Sequence, residues 1–317
     1  MPAGACVVYP SPLPHGFASW HDGGMHSSAC RLILATALLF LTAASPAPSP
    51  NQIVAAAPPT AWQSVPADNL LVMDLASGRR IVIELAPAFT PVHVENIRKL
   101  AHAGWWDGAS IVRVQDNYVV QWADGPGHGL LPAGVVAHPP AEYDRPIDGL
   151  AIRRLGFPDS YAQVTGYSGG WPVAGDGKRV WLTHCYAMVG VGRDMPPDTG
   201  DGTELYAVIG QAPRQLDRNI ALVGRVLDGM PALAALPRGS GDLGFYVGAE
   251  AHVPIRRVRM AADLPPAERP HYDVMRSDAP DFARYLDARS NRRDPFFVRP
   301  AGGVDVCNAP VPTRPSP

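Results

Sequence analysis

One stretch constrains this chain more than any other: Ser110 to Asp124, which reads SIVRVQDNYVVQWAD. Two short apolar runs, Ile111–Val114 and Tyr118–Trp122, flank the polar Gln115-Asp116-Asn117. Val, Ile, Tyr and Trp favour pleated strands and Asp-Asn favours a turn, so the stretch predicts a strand pair. Arg113 and Gln121 stand out among the apolar residues. A charge or an amide on such a strand is costly unless it has a partner or a task. The alternative is that both side chains face solvent on the polar side of an alternating strand.

The rest of the chain sets bounds. At 317 residues it could hold one large domain or two small ones. With 46% hydrophobic and 18% charged residues it has the composition of a soluble globular protein. A formal net charge of −2 gives no electrostatic footprint for nucleic acid. The four cysteines, Cys6, Cys30, Cys185 and Cys307, form no CxxC pair, and the ten histidines form no HExxH pattern, so a metal centre is not expected. Many of the 35 prolines lie in the two tails, which predicts a compact centre with extended ends.

At the N-terminus, Arg31 precedes the apolar run Leu32–Leu41, which ends in Thr42-Ala43-Ala44-Ser45. A positive flank, a short apolar core and small residues near a cleavage point read as a signal peptide over 1–44. The alternative is a buried core helix. The run falls short of the roughly 20 apolar residues of a membrane span. The expectation is an exported chain, periplasmic or secreted, cleaved near Ala44 and without a stable membrane span when mature. Residues 45–66, rich in proline, read as an extended linker.

A folded region is expected over 67–262. Leu70–Leu75 and Arg80–Leu85 read as strands around the turn Ala76-Ser77-Gly78-Arg79. Thr90-Pro91 predicts an N-cap with proline at the first helical position, and Gly104 a C-terminal stop. Residues 125–178, with their GPGHG and YSGGW clusters, read as an insertion of turns or short strands decorating one face. Val180–Val191 is long enough for one or two strands. Neighbours on an alternating strand face opposite ways, so His184 and Cys185 cannot form a dyad. They read as a surface histidine and a core cysteine. Further strands are expected near 205, 221 and 254. Residues 263–317 form a C-terminal extension, in which Phe282, Tyr285, Leu286 and Arg289 mark a helix docked on the wall of a barrel. Arg292-Arg293 and the Pro-rich end are expected to be solvated.

Several of these segments resemble cyclophilin-type peptidyl-prolyl isomerases. That family carries Phe-His-Arg, a short turn, then Gly-Phe-Met-x-Gln-Gly-Gly-Asp. Here Ile111-Val112-Arg113 and Asn117-Tyr118-Val119-Val120-Gln121-Trp122-Ala123-Asp124 stand at that spacing. Thr90-Pro91 with Asn96-Ile97 resembles the family's first helix, and Pro140-Ala141-Glu142-Tyr143 its P-x-E-F loop. Val191-Gly192-Arg193 and Thr203-Glu204-Leu205-Tyr206 resemble M-A-R and S-Q-F-F. The run LDRNIALVGRVLDGM, Leu216 to Met230, is the nearest match. The resemblance covers about 70–260. With the eight strand segments, it implies a mainly β fold: a closed antiparallel eight-stranded barrel with two short helices.

The resemblance implies an isomerase of X–Pro bonds acting on proline-containing peptides or unfolded exported proteins, with no cofactor. Arg113 takes the catalytic role and Gln121 orients it or holds the substrate carbonyl. Tyr118, Val119, Tyr206 and Leu216 would line the proline pocket, Glu204 and Ile220 are further substrate-binding positions, and Gly192 and Arg193 would bind the peptide backbone. The departures are Val119 for Met, Glu204 for Gln and Ile220 for His or Tyr. They imply altered specificity. The alternative is a non-catalytic proline-peptide-binding or chaperone module on the same barrel.

Cleavage near Ala44 would leave Cys185 and Cys307 as the mature cysteines. Two readings stay open: a disulfide suited to an oxidising compartment, or a buried free thiol at Cys185.

Overall fold

The structure, a computed structural model, describes residues 46–123, 129–248 and 253–316. The signal-peptide reading of 1–44 falls outside the described residues. Within them no helix is long and apolar enough to cross a membrane.

Eight strands close a barrel: β1 Leu70–Leu75, β2 Arg80–Leu85, β3 Ser110–Val114, β4 Val119–Ala123, β5 Met188–Val191, β6 Leu205–Val208, β7 Leu222–Asp228 and β8 Val253–Met260. They follow the order β5-β6-β4-β3-β8-β1-β2-β7, and β7 pairs back onto β5. Every pairing is antiparallel. Period-two alternation sends Met73, Ile81, Ile83, Ile111, Trp122 and Val258 inward to one core. The outward side of β1 and β2 is apolar as well. Leu70, Val72 and Val82 pack against Leu264 and Tyr272 of the C-terminal region, so β1 is buried throughout.

Asp74 pins three neighbouring strands. Its carboxylate accepts from Arg80 of β2 at 2.8 Å and from Arg256 and Arg257 of β8 at 3.1 and 2.8 Å. Burial pushes its pKa up, but hydrogen bonds and charges from Arg80 and Arg257 outweigh this and pull it from 3.8 to about 2. The folded chain therefore holds this proton less tightly than the unfolded one. The contribution is complete above about pH 4 and disappears as the pH falls toward about 2. In an acid titration followed by circular dichroism, Asp74→Asn is expected to remove this component. Parallel loss of stability by wild type and variant would contradict it.

The helix Pro91–His102 starts where expected, yet Thr90 does not cap it. The Thr90 hydroxyl donates instead to Leu222 O at 3.2 Å. Glu142 supplies the cap from the insertion, accepting from Val92 N and His93 N at 3.0 Å each. The free N–H groups and positive end of the helix suit a carboxylate. Met230–Ala234 is the barrel's second helix.

The insertion builds a sheet of short strands. Its spatial order is Arg145–Pro146, Arg179–Leu182, Trp171–Gly175, Val164–Ser168 and Arg153–Arg154. Val180–Val191 therefore divides between two sheets, and its barrel portion is β5.

Over its described residues, 46–66, the Pro-rich segment is not an extended linker. Pro50–Ala55 is a helix with a Ser49–Gln52 capping box, Pro59–Ala61 is a 3-10 turn, and Trp62–Ser64 is a strand. Pro50 and Pro59 open their helices, where a missing N–H costs nothing. Trp62–Ser64 pairs with Tyr272–Met275, which also pairs with Thr313–Pro315. The Pro-rich end is thus partly a sheet edge rather than solvated chain. The helix Pro280–Ser290 buries Phe282, Tyr285 and Leu286, and Ile53, Trp62, Tyr167, Trp171 and Phe282 share a second core. The whole has four α-helices among the described residues.

Cys185 and Cys307 are joined, with an S–S distance of 2.02 Å and Cα atoms 4.9 Å apart. The bond ties the segment just before β5 to the C-terminal region, and excludes the free-thiol reading.

Candidate active site

Arg113 on β3 and Gln121 on β4 face one another across the ladder, where a register shift follows Ile111. Gln121 in turn faces Tyr206 on β6, and Tyr206 faces Gly190 on β5. Directly paired residues share a face. A row of three side chains therefore crosses β3, β4 and β6 on the outer wall of the barrel and ends over Gly190 of β5. Val119, Tyr206 and Val208 form a small apolar cluster on this wall, with Tyr118 and Ile220 packed on it.

The row lies in a groove of about 620 Å³. The sequence-predicted residues all meet there: Arg113, Gln121, Tyr118, Val119, Gly192, Arg193, Glu204, Tyr206, Leu216 and Ile220. Gln121 is buried and Arg113 is half-buried, so neither lies on an open polar face.

Arg113 is held from three directions. Nη1 donates to Gln121 Oε1 at 2.9 Å, Nε to Leu243 O at 2.7 Å, and Nη2 to Gln115 Oε1. Its guanidinium lies 5.6 Å from the Tyr118 ring centre and 5.3 Å from that of Phe245. Burial lowers its pKa, while Tyr118 and Glu204 raise it; an arginine starting so high stays charged. Three of five N–H donors are used in these bonds, leaving two for a ligand.

Leu243 and Phe245 come from a loop the sequence reading did not single out. Gly239 N donates to Val114 O at 3.0 Å and Tyr246 N to Val112 O at 3.0 Å, which lays this loop along β3. Its only sequence signal is the glycine run GSGDLGFYVG. Asp194, Asp198, Asp201 and Thr203 also line the groove and were likewise not anticipated.

The floor continues inward as a polar chain. The Tyr206 ring lies across Gly190, where an added Cβ would fall 2.3 Å from the hydroxyl oxygen. The Tyr206 hydroxyl is 3.0 Å from His184 Nε2, and His184 Nδ1 is 2.9 Å from Asp217 Oδ1. Nδ1–H donates to the Asp217 carboxylate, which only accepts, and this leaves Nε2 to accept from the Tyr206 hydroxyl. Arg214 Nε donates to Asp217 Oδ2 at 2.5 Å, and its Nη atoms donate to Asp159 at 3.1 Å each. Burial, with Tyr118 and Asp217 nearby, pushes the Tyr206 pKa well above 10, so its proton stays in place.

His184 is therefore not a surface residue; it is 1% exposed. His184 and Cys185 lie between the strands Arg179–Leu182 and β5 rather than on an alternating strand, and the His184 ring meets Tyr206 and Asp217 rather than water. Among the described residues no group of His, Cys, Asp and Glu side chains could hold a metal ion.

Comparison with known proteins adds independent findings. The family model "Cyclophilin type peptidyl-prolyl cis-trans isomerase/CLD" matches residues 70–261. The crystal structure of cyclophilin AquaCyp293 from Hirschia baltica is similar at 26% identity and TM-score 0.63, over 80% of this chain and 92% of that one. A Cryptosporidium parvum cyclophilin type peptidyl-prolyl cis-trans isomerase, crystallised in the presence of the dipeptide Ala-Pro, matches at 12% identity and TM-score 0.39, over 60% of this chain and 98% of that one. No curated protein matches.

Proposed function

The chain belongs to the cyclophilin-type peptidyl-prolyl cis-trans isomerases, and from that premise we propose that Arg113 drives isomerisation of X–Pro bonds in exported proteins. An X–Pro amide turns slowly because its C–N bond must lose double-bond character, over a barrier of about 18–20 kcal/mol. In the twisted state the nitrogen becomes pyramidal and regains its lone pair. A cationic donor aimed at that lone pair binds the twisted amide better than the planar one, and this difference is what accelerates the step.

The observation that carries the reading is the fixed Arg113. Leu243 O, Gln121 and Gln115 hold its three nitrogens, and two N–H groups remain for the amide. Tyr206, Val119, Leu216 and Ile220 give the proline ring an apolar wall beside it. Gly192 and Arg193 lie at the end of β5, where an extended peptide can run. Export is supported by the leader-like sequence before Ser45 and by the Cys185–Cys307 bond, which an oxidising compartment maintains. The periplasm or the exterior is the compartment these features suit.

Arg113→Ala is expected to lower kcat/KM in a protease-coupled proline-peptide assay by about 10²–10³, the usual loss for one donor to a developing charge. The barrel should remain folded, because the side chain sits on its outer wall. Unchanged kcat/KM in a folded variant would remove Arg113 from this role.

A further inference from the structure

We propose that Glu204, with Asp194, makes this groove select proline peptides that carry a lysine or arginine one or two residues from the proline. The inference rests on reading the groove as the peptide site.

Glu204 immediately precedes β6 and Tyr206 lies within it; both line the groove, about 7 Å apart along the chain. An extended peptide advances about 3.3–3.6 Å per residue. A proline against Tyr206 therefore brings a residue one or two positions away alongside Glu204. The glutamate stem lies against Gly192, where an added Cβ would fall 2.7 Å from Glu204 Cγ. This fixes the carboxylate at the Gly192–Asp194 end of the groove.

The charges there are unbalanced. Asp194, Asp198, Asp201 and Glu204 line the groove against Arg113 and Arg193. Arg193 donates to Asn219 O at 3.0 Å and Asp194 O at 2.6 Å, and Arg113 is bonded to neutral oxygens. Asp198 and Asp201 accept from their own loop, at Asp194 N, Gly200 N and Thr203. The side chains of Glu204 and Asp194 have no hydrogen-bond or ion-pair partner among the described residues. Burial and Asp194 raise the Glu204 pKa, opposed by Arg113, so its charge is held at a cost that an arriving cation would relieve. A neutral glutamine, the residue usual at this place in the family, would create no such demand.

The test uses hexapeptides with one proline and lysine, alanine or glutamate at each of the two positions on either side. Binding is read by fluorescence anisotropy and isomerisation by exchange NMR. At one position the wild-type protein is expected to bind the lysine peptide on the order of tenfold more tightly than the glutamate peptide, the ratio falling with added salt. Glu204→Gln should cut that ratio to about threefold or less, and Asp194→Asn should lower it partially. Equal binding of lysine and glutamate peptides at all four positions, with the alanine peptide still isomerised, overturns the inference and leaves the isomerase groove standing. Charge-selective binding with no isomerisation keeps the inference and overturns the Arg113 mechanism. A ratio untouched by Glu204→Gln and Asp194→Asn assigns the selection elsewhere and overturns it.

Discussion

Arg214→Ala is expected to destabilise the protein by about 3–5 kcal/mol, because it removes the single cation shared by two buried carboxylates. The Arg214 and Asp159 side chains are each 3% exposed and Asp217 is 6% exposed. Without the guanidinium both carboxylates stay buried and unpaired, which costs far more than the net worth of the intact pairs. The damage runs to the groove. Asp217 holds His184, and His184 holds the Tyr206 hydroxyl. Peptide affinity should fall along with stability. Urea midpoints at neutral pH measure this. A loss below about 1 kcal/mol at neutral pH would mean that the chain of contacts carries little weight. Asp159→Asn, which keeps the Arg214–Asp217 pair, should cost less.

The features that sequence reading reached are the local ones. Strands and turns of the barrel follow from apolar alternation and turn residues, and Arg113 and Gln121 from polar residues within strands. The ten groove residues came together because the motifs that carry them occur in order along the chain. What escaped was set by distant partners. The role of His184 depends on Asp217, 33 residues away, and on Tyr206, 22 away. The sequence places it on an alternating strand, whereas it lies between two strands, where Tyr206 of the barrel and Asp217 of a loop close over its ring. The cap of the first barrel helix comes from Glu142, about 50 residues downstream of Val92. The prolines of 45–66 suggested extension, yet Pro50 and Pro59 sit where a helix tolerates them. Their segment gains its order from the C-terminal region: Trp62 faces Met275, and Ser64 bonds Asp273, 209 residues on. The loop carrying Leu243 and Phe245 lies on β3 through backbone bonds, which leave no mark in side-chain pattern.

Loss of the Cys185–Cys307 bond should be comparably damaging. The bond closes a loop with a sequence separation of 122 residues. In the chain-entropy model a loop of that size restricts the unfolded chain by about 4–5 kcal/mol. For a folded unit of this size that corresponds to a fall in Tm of about 8–10 °C. Cys307→Ala is the cleaner variant, since Cys307 is half-buried within the turn Val306–Asn308, whereas Cys185 lies within the second core. Reductant added to the wild-type protein should reproduce the shift, and reductant added to Cys307→Ala should do nothing further. The loss should also reach the groove. Cys185 follows His184 directly, and Thr183 contacts the Cys185 sulfur at 3.2 Å, so freeing this segment loosens the residue that holds Tyr206. Peptide dissociation constants should therefore rise on reduction at temperatures where the barrel is still folded. A Tm unchanged by both reductant and Cys307→Ala would show that the hydrogen bonds and apolar contacts around Tyr167, Phe282 and Val306 suffice to hold the C-terminal region in place.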